Sequence, residues 1–139
     1  MKTRLHIDYD YEFCLIGIVC SEQDYRLCWA LNSALNLHLA KTEEHEAEFS
    51  KHSLFSYAKE ELFREYFLLA NKGESFPQGG EYYQLIEEHK HLDYFLIIKG
   101  SLEEEEKKHI TELIKKQDIV SAAYLIDVIS LKGKQNLIL

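Results

Sequence analysis

Residues 13–20 of the chain read FCLIGIVC, an uninterrupted apolar run of strand length, and a helical pattern follows it directly. Ser21 stands after the run with Asp24 three residues later, a spacing typical of a capping box that opens a helix. Apolar residues then recur at helical spacing and predict one buried stripe: Leu27, Cys28, Leu31, Ala34 and Leu35. The stretch therefore predicts a buried strand that leads into an amphipathic helix.

The same strand-to-helix pattern returns in the second half of the chain. A strand is predicted at residues 94–99, and Ser101 with Glu104 forms a second capping box. The helix begins with acids and ends with lysines, as the helix dipole favours. Its predicted stripe is Leu102, His109 or Ile110, Leu113 and Ile114. A last strand follows at residues 119–128, and the tail 131–139 is a candidate edge strand.

Between the two units, residues 49–57 and 62–69 predict an antiparallel hairpin. The prediction rests on aromatic residues of one parity, which strands favour on one face: Phe49, Phe55, Tyr57, Phe63 and Phe67. A helix around residues 59–67 is the competing interpretation, since that segment also has helical spacing. Residues 71–80 hold the only proline and three of the six glycines, so we expect a loop that joins two halves of one sheet.

Together these elements predict a single α+β domain over residues 1–139. Leu5, Ile7 and Tyr9 alternate and would open it as a strand. The order is β-α-β-β…β-α-β, and right-handed crossovers place both helices on one face of a mainly antiparallel sheet. The expected fold is ferredoxin-like or ACT-like with extra strands.

Composition narrows the range of partners. The formal net charge is −8 and the basic residues are scattered, so we expect no binding to nucleic acid. The apolar runs are too short to cross a bilayer, and the polar first residues do not resemble a secretion signal, so we expect a cytoplasmic protein. Three cysteines without a CxxC pair fit reduced, packing thiols: Cys14, Cys20 and Cys28. No cofactor is expected.

Residues 86–94, IEEHKHLDY, resemble the motif that names the IPExxxVDY family of bacterial proteins. Four positions match, namely Ile86, Glu88, Asp93 and Tyr94, while Glu87 stands for the proline and Leu92 for the valine. The segments LHIDYDYEFCLIGI and DYRLCWALN are similar to the opening of that family, so the resemblance spans nearly the whole chain. It implies membership without a mechanism, because the family carries no assigned activity.

The same nine residues contain the best candidates for site chemistry. In an extended chain His89, His91 and Asp93 share a row, and two histidines with a carboxylate can bind zinc or another transition metal. A further ligand would come from elsewhere, for example Glu43, Glu44 or His45. The alternative is structural: a polar entrance to the strand, in which Asp93 binds neighbouring backbone.

Asp8 and Asp10 form a second candidate, since they share a strand face and would act as an acid–base pair if they approached Asp93. Charges that protect a sheet edge are the alternative interpretation. The sequence contains no HExxH, GxGxxG or GxSxG motif.

Three functions follow from these patterns. The first is a non-catalytic module that binds a protein partner or itself, as a homodimer through a sheet edge or through Tyr25 and Trp29; in that case Trp29→Ala would shift it toward monomer. The second is an ACT-like sensor that holds a small molecule between helices and sheet. The third is a metal-dependent or acid–base enzyme around His89, His91 and Asp93.

Overall fold

The computed structural model describes residues 11–139, which form an α+β structure of two helices and two antiparallel sheets. The helices are α1 (Asp24–Leu35) and α2 (Glu104–Lys115). Numbered in chain order, the larger sheet contains β1 (Cys14–Val19), β2 (Ala40–Lys41), β5 (Leu54–Lys59), β6 (Arg64–Ala70), β9 (Tyr94–Lys99) and β10 (Ala122–Ile126). The smaller sheet contains β3 (His45–Glu46), β4 (Ser50–His52), β7 (Lys72–Ser75) and β8 (Tyr82–Gln84). The predicted α+β class is confirmed.

In the larger sheet the strand order is β10-β1-β9-β6-β5-β2, with antiparallel neighbours throughout. The apolar run of residues 13–20 supplies β1, which lies between β10 and β9. β1 and β9 are buried on both faces, which explains why their sequences are continuously apolar rather than alternating. β10 is one edge of this sheet.

Both helices pack on the same face of this sheet. Leu27 and Leu31 of α1 share one buried cluster with Ile114 of α2 and with Ile16 and Ile18 of β1. Each fully buried aliphatic side chain of this kind contributes about 1.5–3 kcal/mol. In α2 Ile110, not His109, is the buried member of the predicted stripe, and Leu113 is only half-buried.

The opposite face is covered without a helix. Its cluster joins Leu15 and Phe95 of the sheet with Ile86 and Leu92, and with residues of the C-terminal tail. The predicted edge strand at residues 131–139 is wrong: the tail forms 3-10 turns at Val128–Ser130 and Lys134–Leu137 instead. It does so because Val128, Leu131 and Leu137 are buried against this face of the sheet.

Neither serine caps a helix, which corrects the predicted helix starts. α1 begins three residues after Ser21, following Gln23, and α2 follows Glu103; neither cap residue makes a side-chain hydrogen bond. At α1 the helix starts late because of contacts with a distant strand. Cys20 donates its N–H to the Asp93 carboxylate, and the carbonyl of Glu22 accepts from the Tyr94 hydroxyl, so the chain stays against β9 until residue 22.

The hairpin prediction is confirmed for β5 and β6, and the competing helix shrinks to a 3-10 turn at Glu60–Leu62. The prediction that its aromatics share one face is wrong. Phe55 is opposite Leu68 whereas Phe67 is opposite Ser56, so Phe55 and Phe67 lie on opposite faces. Phe49 and Phe63 lie outside both strands and are exposed.

We predicted that residues 71–80 form a loop joining two halves of one sheet, and this prediction is wrong. They contain β7, which pairs with β4 and β8 in the smaller sheet. The predicted strand with Leu5, Ile7 and Tyr9 lies outside the described residues. Over residues 11–139, neither 12-residue helix is long and apolar enough to cross a membrane.

Candidate functional site

The segment IEEHKHLDY bends into a 3-10 turn at Glu87–His89 and then enters β9 at Tyr94. Ile86 is fully buried under the sheet. The Glu88 carboxylate accepts the backbone N–H groups of Lys132 (2.8 Å) and Gly133 (3.4 Å). These two bonds tie the segment to the C-terminal tail, and they lower the pKa of Glu88.

The other two matching residues anchor the end of β1. Asp93 Oδ2 accepts the N–H of Cys20 at 2.8 Å, and the Tyr94 hydroxyl donates to the carbonyl oxygen of Glu22 at 2.7 Å. Burial raises the pKa of Tyr94, so this hydroxyl stays protonated and available as a donor. All four residues that match the family motif therefore make contacts inside the chain.

Asn71 hydrogen-bonds to the backbone of this segment, a role that the sequence did not indicate. It is fully buried, and its Oδ1 accepts the N–H of Ile86 at 2.9 Å. Its Nδ2 donates to the carbonyl oxygens of Leu92 (2.8 Å) and His89 (3.0 Å). One amide side chain thus satisfies three backbone groups that the turn leaves outside any sheet.

The structure brings His89 and His91 together but not with Asp93. The two rings lie 5.8 Å apart between centroids, while the Asp93 carboxylate faces the backbone of β1. Of the proposed further ligands, His45 Nε2 contacts the carbonyl oxygen of Asn136 at 2.8 Å. Over residues 11–139, no three His, Cys, Asp or Glu side chains are placed to hold a metal ion together. Asp8 and Asp10 lie outside the described residues.

A serine–histidine pair is present in β4 and was also missed. Ser50 Oγ lies 2.7 Å from Nε2 of His52, and Nδ1 of His52 lies 2.9 Å from the carbonyl oxygen of Ala70. Because that carbonyl can only accept, Nδ1 carries the proton and Nε2 accepts from Ser50. The arrangement resembles that of a nucleophile and its base. Both residues are buried, however, so a substrate has no access and the pair is a core network.

Burial lowers the pKa of His52 below its usual value of 6.5, with the neighbouring His45 acting in the same direction and the Ala70 bond opposing it. Below pH 6.5 the unfolded chain binds a proton at His52 that the folded chain does not yet bind. The contribution of neutral His52 to the free energy of unfolding is therefore fully present above pH 6.5, and it is lost as the pH falls through the folded-state pKa. We expect the ring resonance of His52 in an NMR titration to change at lower pH in folded protein than in urea. An unchanged midpoint would contradict this.

A cleft of about 650 Å³ lies where β1 starts beside the first turn of α2. Phe13, Leu102 and Ile129 line it together with Lys107, and it is widely open to solvent. Cys14 also lines it, but burial raises the pKa of that thiol to about 11. A protonated thiol is a poor nucleophile. Cys14 is therefore not an activated nucleophile in this cleft.

Large apolar side chains are exposed at several places on the described surface, and two of these places are candidate interfaces. The first, which we call the α1 surface, consists of Tyr25 and Trp29, one helical turn apart and 62% and 79% exposed. A shallow groove of about 210 Å³ between Arg26 and Ile119 adjoins it. The sequence placed both aromatics at the margin of the buried stripe, and the structure shows that they lie outside the core.

The second surface is the edge of β10, which pairs only with β1 within residues 11–139. Its sequence, AAYLI, has no charged residue and no proline, the usual devices that protect a sheet edge from pairing. Tyr124 and Leu125 are 50% and 38% exposed, and the nearby Ile129 is exposed too. A groove of about 250 Å³ runs between this strand and α2, where Lys108 and Lys115 lie.

Comparisons with protein-family models, with curated proteins and with solved structures gave no match. Association at the α1 surface or at the β10 edge would remove exposed apolar area from water.

Proposed function

We propose that the chain is a non-catalytic protein-interaction module that acts as a homodimer. The observation that supports this best is the β10 edge, which has no second strand neighbour among the described residues and carries no charge or proline. An edge strand leaves every second residue's backbone N–H and C=O without a partner in its sheet. A strand added from outside satisfies these groups and covers Tyr124 and Leu125 at the same time.

A homodimer is the simplest way to supply that strand. Closed two-fold dimers are the commonest soluble assemblies, and an antiparallel strand pair has two-fold symmetry of its own. One contact then closes both edges, whereas a head-to-tail contact would leave an edge open for further growth. The proposal thus explains how β10 can be apolar without causing open-ended aggregation.

We extend the proposal to the topology of the fold and to the protein family. The order β10-β1-β9-β6, with α1 after β1 and α2 after β9, supports a ferredoxin-like, split βαβ arrangement. We also propose membership of the IPExxxVDY family, supported by the internal contacts of Ile86, Glu88, Asp93 and Tyr94. The three free cysteines support a location in the cytoplasm.

The sensor and the enzyme are weaker alternatives. The cleft beside α2 has the volume of a small-molecule pocket, but it is shallow and open. An enzyme around His89, His91 and Asp93 would need the carboxylate to leave its bond to Cys20. Neither alternative accounts for the apolar edge of β10.

Light scattering at tens of micromolar tests the proposal. We expect twice the chain mass of 16.4 kDa for the wild type. Tyr124→Lys is expected to give a folded monomer, because two like charges would meet across the strand pair. Phe63→Lys is the matched control: Phe63 is 89% exposed in the β5–β6 turn, and its replacement is expected to leave the dimer intact.

Trp29→Ala in the same experiment separates the two surfaces. With β10 as the interface, this variant stays dimeric, unlike the expectation from sequence alone. If Trp29→Ala is monomeric while Tyr124→Lys remains dimeric, the interface lies at the α1 surface and the homodimer still stands. A monomeric wild type would overturn the proposed function.

A further inference from the structure

We infer that β10 pairs with β10 of a second copy in one register, antiparallel and centred on Tyr124. This inference rests on the proposed homodimer and specifies how it forms. Across the two-fold axis Tyr124 would face its own counterpart, Ala123 would face Leu125, and Ala122 would face Ile126.

Side-chain size favours this register. The strand reads Ala-Ala-Tyr-Leu-Ile, with its small residues before the centre and its large ones after it. An antiparallel pair centred on Tyr124 therefore sets an alanine opposite a large aliphatic residue at all four outer positions. A register shifted by two residues would instead oppose large with large at one end and leave alanines at the other. Cross-strand side-chain pairs are the unit of sheet stabilisation, so this register is the one that we infer.

The two faces of the strand agree with this arrangement. Ala123 is buried in the helix-side cluster, so Leu125, two residues on, points to the same side. Tyr124 and Ile126 point to the other side, where Ile126 joins the opposite cluster. Pairing would thus continue both cores across the axis and join two six-stranded sheets into one.

Disulfide trapping tests the register. Directly opposite residues in an antiparallel pair have Cα atoms about 4.5–5.5 Å apart, within the range that a disulfide accepts. We expect Tyr124→Cys to form a covalent dimer almost completely under mild oxidation. The native thiols Cys14, Cys20 and Cys28 are buried, so wild-type protein is the blank and should not cross-link.

Ala122→Cys is the matched control on the same strand and the same face. In the inferred register the two copies of residue 122 lie about 14 Å apart along the strands, beyond the reach of a disulfide. It should stay uncross-linked alone, while an equal mixture of Ala122→Cys and Ile126→Cys proteins should form a mixed covalent dimer.

The outcomes separate this inference from the proposed function. A dimer by light scattering that Tyr124→Cys fails to trap, or that Ala122→Cys traps equally well, would overturn the register and leave the homodimer standing. A wild-type monomer would overturn the homodimer itself, and the register with it.

Discussion

Asn71→Ala is expected to lower the free energy of unfolding by about 4 kcal/mol, since each buried backbone group left unsatisfied costs about 1–3 kcal/mol. The variant removes the partner of the Ile86 N–H and of the Leu92 carbonyl, both in buried bonds, and of the His89 carbonyl, in a partly buried one. No water can replace the amide without entering a fully buried position. Urea unfolding followed by far-UV circular dichroism, at one protein concentration, measures the loss.

Two variants make this result specific. Asn71→Asp keeps an acceptor for Ile86 but directs a carboxylate at the carbonyl oxygens of His89 and Leu92, so we expect a loss at least as large. Gln78→Ala removes an exposed amide of similar chemistry and should change stability by less than about 0.5 kcal/mol. A loss below about 1 kcal/mol for Asn71→Ala would show that the turn holds itself without this side chain.

The fold class was predictable because its signals are local. The apolar run at residues 13–20 and the run at 94–99 became β1 and β9, and the helical stripes became the inner faces of α1 and α2. The helix starts were not predictable, since Asp93 and Tyr94 hold the chain near Ser21 from more than 70 residues away. The smaller sheet was missed because its strands are two to four residues long, too short for periodicity.

The candidate site was less predictable than the fold. The spacing of His89 and His91 suggested a metal site. That spacing places the two side chains in one row only if the chain is extended, whereas this segment forms a 3-10 turn. Asn71 stands in a stretch with Gly, Ser and Pro that reads as a loop, so its burial left no local signal. Ser50 and His52 alternate in a charged neighbourhood, and only the pairing of β4 with β7 buries them.

Four side chains at or near residues 86–94 make structural contacts within the chain. Glu88 holds the C-terminal tail, Asp93 and Tyr94 hold the end of β1, and Asn71 holds the turn between them. Glu88 and Asn71 bind backbone in the layer opposite the helices, whereas Tyr94 lies in the helix-side cluster.

Gly17→Ala is expected to destabilise the fold by about 2–3 kcal/mol, as overpacking of a tight core does. Gly17 lies in the middle of β1, and a Cβ there would be 2.5 Å from Leu92 Cδ1 and 2.8 Å from Ile126 Cδ1. Both side chains belong to the cluster opposite the helices, so they cannot both withdraw without disturbing it. The reduced entropy of the unfolded chain returns only about 0.4–1 kcal/mol.

A double variant identifies the clash as the cause. Leu92→Ala alone should cost about 2–5 kcal/mol through the cavity it leaves. Combined with Gly17→Ala it should cost less than the two losses together, because the new methyl group enters that cavity. Gly133→Ala is the control, since its Cβ would meet nothing closer than 3.4 Å and its φ of −94° suits any residue. Strict additivity of the two variants in urea unfolding would contradict the clash and place the cost of Gly17→Ala in the strand backbone instead.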